Sequence, residues 1–102
     1  MGITVTLETE DGHRIASVED PTNVLHRVLP EPEDARFHLA NTVDWYGDTV
    51  FNPLQAGLLR KELAILIENA VDENAAMLLK RIDEILFKCN SEVHLYVRFC
   101  GD

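Results

Sequence analysis

NPLQAGLLRKELAILIENAVDENAAMLLKRIDEILFKCN, residues 52–90, decides the fold, because it spells two helices joined by a connection short enough to force them antiparallel. Asn52 is a good N-cap, Pro53 suits the first helical position, and Gln55 stands where its amide can reach back to close a capping box. Leu54, Leu58, Leu63, Leu66, Ile67 and Ala70 recur at helical spacing among Arg60, Lys61, Glu62, Glu68 and Asn69, which predicts a helix over 53–70. The run Ala64-Ile65-Leu66-Ile67 is apolar nearly all round, so this helix is expected to be covered on more than one side. Val71-Asp72-Glu73-Asn74 interrupts the pattern and offers caps for a second helix over 74–89. Its stripe is Ala75, Leu78, Leu79, Ile82, Ile85, Leu86 and Cys89, with Lys80, Arg81, Asp83 and Glu84 on the remaining face.

Beyond the helix pair, Val93, Leu95, Val97 and Phe99 alternate with His94, Tyr96, Arg98 and Cys100, the period of a strand over 92–100. At the other end of the chain Ile3, Val5 and Leu7 alternate with Thr4, Thr6 and Glu8, whose face is expected to be solvated. Glu10-Asp11-Gly12 is a turn signal, and Ile15 and Val18 mark a less regular return strand, so 3–19 reads as a hairpin. Residues 20–34 are irregular, with Pro21, Pro30 and Pro32 around an apolar patch fit for one helical turn or two. Strand structure is expected within 35–51, over Ala35–Ala40 and again around a turn between Thr42 and Phe51. Strands, then a helix pair, then a strand predict one α+β domain over 1–102, of two layers. Its sheet is mainly antiparallel or mixed, with the antiparallel helix pair packed on one face and His94, Tyr96 and Arg98 on the other.

Composition narrows function mostly by exclusion. Eighteen acidic against nine basic residues give a net charge of −9 over 102 residues, which repels phosphate backbones and argues against nucleic acid as a partner. No apolar run approaches a membrane span, and the first residues lack a basic start and the apolar stretch of a secretory signal, so a soluble, cytoplasmic, bacterial-type protein is expected. Two cysteines, Cys89 and Cys100, are too few for a disulfide framework or zinc site and read as reduced, core-like thiols. The five glycines form no phosphate-binding loop, and Ser17 and Ser91 lie in no nucleophile elbow. No cofactor is expected.

The remaining candidates are surface features. Trp45-Tyr46, flanked by Asp44 and Asp48, combines large contact area with polar atoms and can anchor a partner. Glu31, Glu33 and Asp34 lie in an acidic proline loop and, with Glu8, Glu10, Asp11, Glu19 and Asp20, are candidates for a negative rim. His94 and Tyr96 add a polar and aromatic patch on the open sheet face. Together these predict a noncatalytic acidic module that binds a protein partner, possible forms being an immunity or antitoxin-like neutraliser of a basic toxin. Two alternatives remain: a homo-oligomeric assembly subunit joined through the terminal strand or the apolar first helix, and a small enzyme using His38, Asp44 and Asp48 with a metal.

Overall fold

The computed structural model describes residues 2–101. Two strands, β1 (Thr4–Thr9) and β2 (Arg14–Glu19), are followed by a short helix α1 (Val24–Val28), strand β3 (Asp48–Phe51), helices α2 (Pro53–Glu68) and α3 (Glu73–Ser91), and strand β4 (Leu95–Cys100). The four strands form one antiparallel sheet in the order β2-β1-β4-β3, with α2 and α3 packed against one another in a second layer. The protein is a two-layer α+β fold, and its sheet is antiparallel throughout.

Local chemistry accounts for most boundaries. Gln55 N–H donates to Asn52 Oδ1 at 2.8 Å and Asn52 N–H to Gln55 Oε1 at 2.9 Å, so the expected capping box opens α2. Asp72 caps α3 by accepting from Ala75 N–H at 2.8 Å. Between β1 and β2, Thr9 N–H reaches His13 O and Gly12 N–H reaches Thr9 O, with Gly12 at φ +84°, a left-handed position that a side chain would strain. The terminal strand begins at Leu95, later than its alternation predicts, because His94 adopts φ +68° and breaks the extended run. Val93 consequently leaves the apolar face and stands exposed.

Inward residues Val5, Leu7, Val18, Phe51, Leu95, Val97 and Phe99 meet Ala56, Leu59 and Leu63 of α2 and Leu79, Ile82, Leu86 and Cys89 of α3 in one core. Phe51 and Phe99 pack edge to face, 5.6 Å between centroids at 87°. The helices are also clamped to each other at their polar seam. Arg60 grips Asp83 through Nε at 2.9 Å and a terminal nitrogen at 3.2 Å and lies over the Phe87 ring, while Asn90 donates to Pro53 O.

Three expectations fail for tertiary reasons. Ala35–Ala40 forms no strand, because its backbone amides have another acceptor: His38, Leu39 and Ala40 N–H all donate to the Glu62 carboxylate of α2, at 2.8–3.2 Å. The segment instead ends in a 3₁₀ turn over Ala40–Thr42, while the Asn41 side chain donates to carbonyls of Pro32, Asp34 and Phe37. The 64–67 run of α2 is not covered throughout: Leu66 and Ile67 pack against the core, while Ala64 and Ile65 stand exposed. The polar face of β1 is not solvated at its centre, where Thr6 and Glu8 are both buried.

Candidate functional site

Strand alternation sends Thr4, Thr6 and Glu8 of β1, Tyr96, Arg98 and Cys100 of β4, and Asp48 and Val50 of β3 to the face away from the helices, in register across three strands. Arg98 organises this face. Its Nε lies 3.3 Å from both Glu8 carboxylate oxygens, a terminal nitrogen donates to Asp48 Oδ2 at 3.0 Å, and Thr6 Oγ1 donates to Glu8 Oε2 at 2.6 Å. The two carboxylates raise the Arg98 guanidinium further above its ordinary range, so it stays charged.

The Thr6 hydroxyl first, and the Arg98 guanidinium after it, hold Glu8 below the usual glutamate range against the opposing effect of burial. A carboxylate lowered in the folded state contributes stability that is fully present above its unfolded pKa and is lost as pH falls through the folded value. Urea unfolding followed from neutral pH downward is expected to show this loss beginning near about pH 4.3, the ordinary glutamate value. Glu8→Gln removes the charge, so it is expected to be less stable at neutral pH and to have a shallower acid limb. An acid limb parallel to the wild type would refute the assignment.

The turn preceding β3 is held rigidly. Thr49 Oγ1 accepts from Asp44 N–H at 2.9 Å, Asp44 Oδ1 accepts from Tyr46 N–H at 2.9 Å, and Gly47 O accepts from Gly101 N–H at 2.8 Å. Gly101 permits that approach, since a Cβ there would lie 2.5 Å from Gly47 O and 2.7 Å from Asp44 O. Tyr46 stands 79% exposed on this pinned turn. Trp45 does not project beside it: the indole is half-buried and stacks on His26 of α1, 4.2 Å between centroids at 16°.

The sequence-predicted binding residues divide into three places. Asp44, Trp45, Tyr46 and Asp48 share the turn at the Cys100 end of β4. His94 lies at the opposite end, roughly 20 Å away at strand rise, with Nδ1 2.7 Å from Glu10 Oε1 of the β1–β2 turn, while Tyr96 stands on β4 between the two. Glu31 and Glu33 are exposed on the loop that Glu62 draws onto the helix layer. Asp34 in that loop is held below the usual aspartate range by Arg36, which binds it through Nε at 3.1 Å and a terminal nitrogen at 2.8 Å.

The proposed negative rim therefore does not close. Glu8 is committed to Arg98 and Thr6, and Asp20, 4% exposed, accepts from Val24 and Leu25 N–H at 2.8 and 2.7 Å to open α1. His38, Asp44 and Asp48 do not assemble either. His38 belongs to the loop on α2, whereas Asp48 faces Arg98 across the sheet, and no group of three or more histidine, cysteine or acidic side chains among the described residues has metal-binding proximity.

Cys89 and Cys100 are free thiols on opposite sides of the sheet. Burial pushes Cys89 up to about 11, and burial followed by the Asp48 charge raises Cys100, so neither is a thiolate at neutral pH. His94 pairs with Glu10 and activates neither. The contribution of Glu62 was not visible as anything beyond a polar helix position. Arg98, by contrast, was legible as an open-face residue, though its two partners were not. No helix is long and apolar enough to cross a membrane among the described residues. Comparison with protein-family models, curated proteins and solved structures finds no match.

Proposed function

We propose that the protein is a noncatalytic acidic binding module that engages a basic protein partner at the Asp44–Asp48 turn, with Tyr46 as its anchor. One observation carries this reading: a tyrosine 79% exposed on a turn fixed by hydrogen bonds, with the exposed Asp44 carboxylate at its base. A rigid aromatic side chain presents large contact area at little entropic cost, and the Asp44 carboxylate, with the negative charge of the chain as a whole, steers a cationic surface toward it. Neutralisation of a basic toxin, in the manner of an immunity protein or antitoxin, is the biological role such a surface would serve best.

The test is quantitative capture from source-cell extract on immobilised wild type, Tyr46→Ala and Asp44→Asn. At least one basic protein is expected to be retained by the wild type, to be released as ionic strength rises, and to lose more than about tenfold in affinity with Tyr46→Ala. The reading fails if no captured protein depends on Tyr46, or if the dependent ones are acidic.

A homo-oligomeric assembly role rests on a different observation, the exposed Leu54, Leu58 and Ile65 of α2 and the exposed Phe87 of α3. Edge pairing through the terminal strand is not open to it, because β4 is enclosed between β1 and β3. Light scattering decides this version: a monomer at high concentration removes it.

A further inference from the structure

The strand at one edge of the sheet, β2, pairs among the described residues with β1 alone, so the backbone groups on its other side are open to a further strand. Nothing in its sequence, Arg-Ile-Ala-Ser-Val-Glu, blocks that edge with proline. Toward the helix layer β2 contributes Ala16 and Val18, and the small Ala16 leaves a hollow where a larger side chain would have met α3. The result is a groove of about 380 Å³ running between the β2 edge and α3, with Leu7, Ala16, Val18 and Ile85 among its walls.

The rim of this groove departs from the charge of the rest of the molecule. Arg81 and Lys88 of α3 line it, both exposed, and neither lies within 4.0 Å of a carboxylate among the described residues. Glu84 lies between them and Glu19 borders an adjoining depression, so the lining balances two positive against two negative charges on a chain of −9. Arg81 also borders this depression, with Ser17 and Pro21, so the channel continues along the strand. The two cations stand seven positions apart on α3, about 10 Å along the axis. Acidic residues two positions to either side of a central residue in an extended chain span about 13 Å, within reach of these two long side chains.

We propose that the β2–α3 groove is a docking site for an extended peptide segment of a partner protein, added to β2 as a fifth strand. An apolar side chain of the peptide fills the hollow over Ala16, and acidic residues on either side of it meet Arg81 and Lys88. Main-chain pairing supplies affinity, the hollow selects the central residue, and the two cations select acidic flanks. This site is independent of the Tyr46 surface and opposite in charge preference, so the two can be occupied by different molecules.

The test uses a labelled, end-blocked peptide of about eight residues, a typical strand length, alternating valine with threonine and carrying glutamates around its central valine. A counterpart replaces the glutamates with lysine. Fluorescence anisotropy is expected to show binding of the acidic peptide that weakens by about tenfold or more in Arg81→Glu/Lys88→Glu, and the lysine peptide is expected to bind the wild type at least as weakly. Ala16→Phe fills the hollow and is expected to abolish binding. The charge variant, altered only at exposed positions, keeps the test decisive if Ala16→Phe fails to fold. Amide shifts on titration are expected along residues 14–19 and 81–88. Equal binding of both peptides, no binding at millimolar peptide, or shifts confined to the β3 edge or the Tyr46 turn would overturn the proposal. So would concentration-dependent dimerisation through β2, which would assign the groove to a second copy of the chain.

Discussion

Phe99→Ala is expected to cost about 3–5 kcal/mol of unfolding free energy, the range for truncating a fully buried phenylalanine. Phe99 is 1% exposed on the inner face of a central strand, where its ring meets Phe51 edge to face and Val5 and Thr49 are its register partners. Removing it deletes apolar area and leaves a cavity that a close-packed core fills only in part. For a chain of this size the loss corresponds to a fall in melting temperature of roughly 15–30 °C. Against a total stability typically of about 5–15 kcal/mol, the variant would be marginally folded. Thermal and urea unfolding measure it, and a change below about 1 kcal/mol would show that the ring is not packed as described. Tyr46→Ala is the internal contrast: its exposed ring is expected to move stability by no more than about 0.5 kcal/mol, so lost binding in that variant reports on the surface.

Glu62→Ala is expected to cost about 2–4 kcal/mol, with an effect confined at first to one segment. The Glu62 carboxylate accepts from the backbone N–H groups of His38, Leu39 and Ala40, and no regular ladder replaces it. Charge-assisted hydrogen bonds of this kind are worth about 1.5–3 kcal/mol each, partly offset when the freed amides find water. Hydrogen exchange at residues 38–40 is therefore expected to accelerate while the sheet amides of β1 and β4 keep their protection. Glu62→Gln keeps one acceptor oxygen and should recover part of the loss. Uniform exchange across the whole chain, or unchanged protection at 38–40, would contradict this role.

These two residues show what could and could not be read from the chain. Phe99 lies in an alternating run whose period places it on a buried face irrespective of the rest of the fold. Glu62 is one polar residue among several on α2, and its acceptors become spoken for only when a loop more than twenty positions away in sequence is laid over the helix. Phe37 and Leu39 stand two positions apart in this loop, as they would in a strand, yet such spacing describes side chains and says nothing about where the backbone amides find partners. The candidate site divides the same way. Tyr46 and the Asp44 turn were visible as local chemistry, whereas Trp45 was displaced from the anchor role by a histidine nineteen positions earlier in the chain, His26, on which it stacks.

What the chain determined by itself is everything encoded within a few residues: the capping box at Asn52 and Gln55, the apolar stripe of α3, the glycine turn at Gly12, and the alternation of β1 and β4. Those features depend on periodicity and on short-range hydrogen bonds, so they survive without knowledge of neighbours. Tertiary structure decided the strand order, the pairing of Arg98 with Glu8 and Asp48, the dispersal of the acidic residues over separate surfaces, and the open edge of β2 beside Arg81 and Lys88. Each of these is a relation between residues far apart in the chain, and a charge or an edge acquires meaning only from what is packed against it.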